Sequence, residues 1–231
     1  MLRGRARLPL LAEIAGPAEE TRTWALRRAD FEALGEVLPR LKEHRVVAMA
    51  GEGDEPAVAA IALASAASTS GRRTILVDCG LAQPRLAAHI GLTPAPGLHE
   101  YLRWEAEAAD ILQPVVLAGP AARTLADPLV CISAGRPAAK AETLLGLQSF
   151  AHMIEKLRSA YELVLLLAPP VLDEPGSCLA VAAQADAVLV GLRAGAVKGG
   201  EGRAVRAAVR HLPPPALGSV AVTGVVWVQR S

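Results

Sequence analysis

The chain has 231 residues, 52% of them apolar and 3% aromatic, with 24 basic against 23 acidic side chains and a net charge of +1. This is enough apolar material for one large core, and the even charge excludes the clustered basic excess with which proteins displace counterions from bulk nucleic acid. Cys79, Cys131 and Cys178 lie far apart without a CxxC, and the five histidines are scattered. Neither a disulfide framework nor metal-ligand spacing follows, and the thiols read as reduced and buried.

In chain order, Arg3, Arg5 and Arg7 precede Leu8, Leu10 and Leu11, but Pro9 and Glu13 leave the apolar part too short for a secretory signal. Residues 1–29 are expected to form a basic N-terminal tail, loose over the first 20, with a short helix at 23–28. Residues 30–231 are expected to form one domain. Short apolar runs at 45–50, 74–78, 130–133, 163–167, 187–192 and 220–228 predict strands buried on both faces. Helical spacing appears at 31–38, 57–68, 141–160 and 201–212. Alternating strands and helices predict an α/β fold, a doubly wound, mostly parallel sheet in a three-layer Rossmann-like arrangement. Ligands of such sheets sit at the carboxyl ends of the strands, here the loops after Ala50, Asp78, Leu167 and Leu192. No apolar run reaches the ~20 residues needed to span a bilayer; the longest candidate, 163–172, contains Pro169 and Pro170. The chain is read as cytoplasmic.

The first of these loops reads Gly51-Glu-Gly-Asp-Glu-Pro56 between an apolar strand and an alanine-rich helix. That is the layout of a phosphate-binding loop, in which glycines let backbone N–H groups wrap a phosphate at a helix N-terminus. A working loop ends in Gly-Lys-Ser/Thr, the lysine neutralising phosphates and the hydroxyl holding Mg²⁺. Here Gly53 is followed by Asp54 and Glu55. Glu52, Asp54 and Glu55 thus place three carboxylates around a cradle built for anions.

Four stretches resemble the bacterial tyrosine autokinases of capsule and exopolysaccharide assembly, relatives of the partitioning and division-site P-loop ATPases. They are Gly71 to Pro84 with Gly97-Leu-His-Glu-Tyr-Leu102; Ile132 to Pro137 leading to Ala141-Glu-Thr-Leu-Leu145; Leu157 to Leu172, including Tyr161-Glu-Leu-Val164 and Pro169-Pro-Val-Leu172; and Gln184 to Val190. The resemblance implies a P-loop NTPase-like fold, but most site positions depart from the family pattern. Asp54 stands at the loop lysine and Glu55 at the Mg²⁺-binding hydroxyl. Gly80 replaces the second carboxylate of an Asp-x-Asp motif whose first is Asp78, Leu167 replaces the Asp ending the next catalytic strand, and Val228 replaces an Asn near the base. Only Asp78 survives. The candidate cofactor site is therefore a degenerate phosphate loop of Gly51, Glu52, Gly53, Asp54 and Glu55 with Asp78. Binding of nucleotide is not expected there, nor are catalytic residues, a metal or a cofactor.

Family kinases also modify a C-terminal tyrosine cluster, whereas Tyr101 and Tyr161 are the only tyrosines here. Tyr161 reads as a packing residue ahead of its strand. A Glu-x-x-Arg-x-x-Arg helix builds rings in the family; Gly35 and Leu38 stand where those arginines should be, so homo-oligomerisation stays open. The resemblance implies a catalytically degenerate relative acting in polysaccharide biosynthesis and export, recruited by a membrane polysaccharide co-polymerase, with Arg3, Arg5 and Arg7 as candidate contacts to that partner or to the inner-membrane surface. Two alternatives remain: an active ATPase or tyrosine kinase using ATP and Mg²⁺ with a cation supplied by Arg72, Arg85, Arg136 or Lys198, and a partitioning-type positional regulator.

Overall fold

The computed structural model describes residues 8–15, 27–115 and 129–223. Strands β1 (Leu10–Ala15), β2 (Val46–Gly51), β3 (Thr74–Asp78), β4 (Gln113–Val115), β5 (Leu129–Ile132), β6 (Leu163–Leu167), β7 (Ala187–Arg193) and β8 (Ala216–Thr223) form one sheet in the order β1-β8-β7-β2-β6-β3-β5-β4. Every neighbouring pair is parallel except β4 with β5.

Period-two alternation divides the apolar strands between two layers. Val47, Met49, Leu165, Leu167 and Leu189 face a core shared with α1 (Arg28–Gly35), α2 (Glu55–Thr69) and α3 (Leu86–Ile90). Val46, Ala48, Val164, Leu166, Val188 and Val190 face the opposite core. There they meet α4 (Leu98–Leu102), α5 (Ala108–Ile111), α6 (Ala141–Leu145), α7 (Gln148–Ala160), α8 (Pro175–Ala182) and α9 (Gly200–Val209). Helix α2 is buried along nearly its whole length, and its alanines let the helix approach the sheet closely.

Several expectations shift. Leu10–Ala15, placed in the tail by the sequence reading, is a strand beside β8 with Ala12 and Ile14 in the core. Leu10, Leu11 and Ala15 are apolar as well, so no alternation over these six residues separates the strand from an ordinary tail before its partner is known. The helix expected over 141–160 is two helices, α6 and α7, broken at Gly146 and Leu147; Leu147 has extended backbone that no α-helix can carry. Strand β8 starts at Ala216 rather than Val220. The short helices α3, α4 and α5 and edge strand β4 lack a periodic signal of sufficient length. Residues 1–7 with Arg3, Arg5 and Arg7, most of the expected helix at 23–28, and Val228 lie outside the described residues.

At the amino end of the sheet, Asp186 ties β7 to β2 by accepting the Arg45 and Val46 N–H groups, both at 2.8 Å, while the Arg158 Nη1 contacts both its oxygens at 2.8 and 3.0 Å. Burial pushes this carboxyl up, but the Val46 N–H, the Arg158 guanidinium and the Arg45 N–H together outweigh it and hold the pKa below its ordinary value. The stability this adds is therefore complete above pH ~4 and is lost as pH falls through the lowered value. Asp186→Asn should cost about 1–3 kcal/mol at pH 7, with the gap from the parent chain shrinking toward pH 2 to 3 in a series of melts.

Candidate functional site

The loop between β2 and α2 is held by backbone contact. Gly51 pairs with Gly191 of β7, and a Cβ on Gly191 would lie 2.5 Å from the Pro56 Cα, so strand end and helix entry touch with no room for a side chain. Gly53 has φ +66°, a left-handed conformation natural to glycine. These three glycines are where the local fold demands them, independent of any ligand.

Side chains of the chain itself fill the surroundings of this loop. Glu55, the first residue of α2, is only 8% exposed, and its Oε2 lies 2.7 Å from the point a Cβ on Gly53 would take. Its Oε1 pairs at 2.9 Å with Nε of Arg193, the last residue of β7. A carboxylate in the first turn is stabilised by the positive end of the helix, the same electrostatics that would favour a phosphate there. Glu52 accepts a hydrogen bond from the Leu172 N–H after β6; desolvation lifts its pKa above the ordinary value. Asp54 stands 3.7 Å from the His89 Nε2 of α3, and that neighbour holds its carboxyl below the usual range.

Arg85 joins the loops at the carboxyl ends of three strands. Its Nη1 donates to the Gly53 carbonyl at 2.8 Å and its Nη2 to the Ala168 carbonyl at 2.5 Å. Its own N–H donates to Asp78 Oδ2 at 2.8 Å. Asp78, fully buried at the end of β3, also accepts the Leu86 N–H at 2.7 Å and the Gly80 N–H at 3.0 Å. Burial raises its pKa against the opposing pull of those donors and of the Arg85 charge. All of this binds Asp78 to the backbone of its own loop.

The structure thus brings Gly51, Glu52, Gly53, Asp54, Glu55 and Asp78 together, and they do not fit Mg-ATP. Of the two guanidinium groups at the loop, that of Arg85 donates to two carbonyls and that of Arg193 pairs with Glu55, and the helix N-terminus already faces a carboxylate. A phosphate charge 4 Å from a carboxylate would be repelled by about 4 kcal/mol at an effective dielectric of ~20. Leu167 is completely buried, paired with Met49 and Asp78. A Cβ on Gly80 would lie 2.8 Å from the Gln83 carbonyl oxygen, so the turn leaves no room for the second carboxylate.

Of the arginines considered as replacement cations, Arg85 alone reaches the loop. Arg72 donates to the Leu41 and Glu162 carbonyls, Arg136 pairs with Glu100 and Glu105, and the Lys198 side chain lies outside the described residues. Sequence reasoning missed Arg193 and His89. Arg193 carried a usable signal, since it ends the strand next to the phosphate loop; His89 carried none. Among the described residues no cluster of three or more His, Cys, Asp or Glu could hold a metal ion.

No protein-family model matches the chain, and no curated protein is significantly similar to it. Solved structures are similar along nearly its whole length. The BceF tyrosine kinase domain is 22% identical, with a TM-score of 0.73 over 95% of this chain and 94% of that one. The kinase domain of Escherichia coli tyrosine kinase ETK is 16% identical, with a TM-score of 0.76 over 97% and 94%. The chain has the fold of the bacterial tyrosine kinase domains. The cell division ATPase MinD of Pyrococcus furiosus shares its core more loosely, at 18% identity and a TM-score of 0.54 over 77% of this chain and 71% of that one.

Proposed function

We propose that this chain is a tyrosine-kinase-like domain without nucleotide chemistry, acting as a docking protein in the biosynthesis and export of an exopolysaccharide or capsule. Its partner in this reading is a membrane polysaccharide co-polymerase. The observation that carries the reading is that the charged side chains at the loop have partners within the chain, Glu55 with Arg193 and Arg85 with the Gly53 and Ala168 carbonyls. A fold that has exchanged its catalytic side chains still presents a rigid surface, and function then lies in what that surface meets. No helix of the described residues is long and apolar enough to cross a membrane.

Two measurements test this together. Isothermal titration with Mg-ATP or Mg-ADP at millimolar concentration should give no heat above dilution. Deleting the gene should reduce or abolish an exported polysaccharide, with export restored by a copy carrying Asp54→Ala, which keeps the loop backbone. Saturable Mg-ATP binding that Asp54→Ala or Arg85→Ala alters would support the rival reading of an active enzyme with a non-standard site. Normal export without the gene would remove the polysaccharide role.

A further inference from the structure

Helix α4 ends in a motif that ordinarily uses glycine. The Trp104 N–H donates to the Tyr101 carbonyl at 3.0 Å and the Glu105 N–H to the Glu100 carbonyl at 2.8 Å, the paired bonds of a Schellman cap with Trp104 at its left-handed position. Trp104 has φ +62° and is the one non-glycine residue of the described chain with positive φ. It is also 83% exposed, more than any other large apolar side chain described. A bulky residue in this conformation is strained, and its indole gains no compensating burial within the chain. Neither the cap nor the core accounts for a tryptophan here.

The indole borders a cavity of about 430 Å³ lined by Tyr101, Trp104, Glu105, Glu107, Asp110 and Lys156. Glu105 is taken up by Arg103 at 2.6 Å and Arg136 at 3.1 Å. Asp110 accepts the Glu107 N–H at 2.9 Å, and neither Asp110 nor Glu107 forms an ion pair among the described residues. Two aromatic rings and two such carboxylates against one lysine make a setting for a delocalised cation. A guanidinium can stack flat on an indole while its edge pairs with carboxylates. A lysine ammonium, more strongly hydrated, uses this geometry less well.

The docking reading above supplies the occupant, and the present inference rests on it. Segments of a membrane protein that flank its spans on the cytoplasmic side carry an excess of Arg and Lys. We propose that the cavity between Trp104, Tyr101 and α5 receives an arginine side chain from such an extended, cytoplasm-facing segment of the membrane partner. The docking surface then lies on the side of the sheet that carries α4 and α7, away from the α2 layer.

The probe is a capped pentapeptide, Gly-Arg-Gly-Arg-Gly, titrated calorimetrically into the full chain, with a second peptide carrying citrulline for both arginines. Saturable binding of the arginine peptide is expected, weakened at least tenfold by citrulline, by Glu107→Gln with Asp110→Asn, and by raising salt. Trp104→Gly should abolish binding yet melt at the same temperature or higher, because glycine suits the cap; a tryptophan that served only the fold would give a lower melting temperature. Equal binding of the two peptides, or unchanged binding by Trp104→Gly, overturns the proposal. So does saturation of this site by maltohexaose in preference to the arginine peptide, which would make it a sugar-stacking platform. The two readings fail separately: normal polysaccharide export without the gene removes the docking role, whereas impaired export without the gene, together with no arginine binding, removes only this site.

Discussion

Leu167→Asp, which returns a carboxylate to the position the resemblance assigns to a catalytic aspartate, should destabilise the chain by about 3 kcal/mol or more at pH 7. Leu167 is fully buried in the core shared with α2 and sits in register between Met49 and Asp78. An aspartate there would lose the leucine's apolar contribution and place a second carboxylate in the strand position beside Asp78. Burial and that neighbour would both raise the new group's pKa. A carboxyl with a raised folded-state pKa is tolerated best below its ordinary value and progressively less as pH rises through the raised one. The variant should therefore lie closest to the parent near pH 4 and furthest from it at neutral pH. Chemical denaturation at both values checks this; equal losses at the two would show that the side chain reaches water. If the loss is as large as expected, restoring Asp54→Lys and Glu55→Thr cannot by itself rebuild a nucleotide site, because the supporting positions have been absorbed into the core.

Asp78→Ala is expected to be comparably damaging, for a different reason. The Asp78 carboxylate is the acceptor for the Gly80, Arg85 and Leu86 N–H groups, and its removal leaves three donors in a buried turn. At roughly 1–3 kcal/mol for each such group left without a partner, the loss should be about 3 kcal/mol or more, less whatever entering water recovers. Asp78→Asn keeps an oxygen acceptor and should fall between the two. Thermal melts of the three chains give the ranking. If alanine melts with the parent, the turn is held by Arg85 alone. Asp78 thus has a structural duty sufficient to explain its presence, and loss of export in Asp78→Ala cells would speak first to folding.

The sheet was readable because its strands are continuous apolar runs separated by helical spacing, a signal that depends on many residues at once. Strand β1 was not, since Ala12 and Ile14 reveal a core face only once β8 is beside them. The break between α6 and α7 is likewise carried by one backbone conformation at Leu147. In the site, Asp54 and Glu55 could be read directly as acidic residues where the resemblance expects a lysine and a hydroxyl. What those residues do instead was not visible, because Glu55 is paired with Arg193 and Asp54 with His89 across 138 and 35 positions of sequence. Arg85 was one of four candidate cations in the sequence, and only the placement of the loops after β2 and β6 on either side of it sets it apart from the others.

Strand β1 has one further implication. It lies at the border of the sheet, joined to β8 through a register from Leu10 opposite Ser219 to Ala15 opposite Thr223, with the Ser219 N–H also donating to the Pro9 carbonyl. The segment that carries Arg3, Arg5 and Arg7 is therefore continuous in the chain with a rail that shields β8. Cutting back to residue 20 would strip off that rail along with the arginines and leave β8 with open main-chain donors and acceptors, the kind of unprotected border that recruits other chains. Self-association of so shortened a protein would report the missing strand, and the contribution of the basic residues can be isolated only by changes that stop before Pro9.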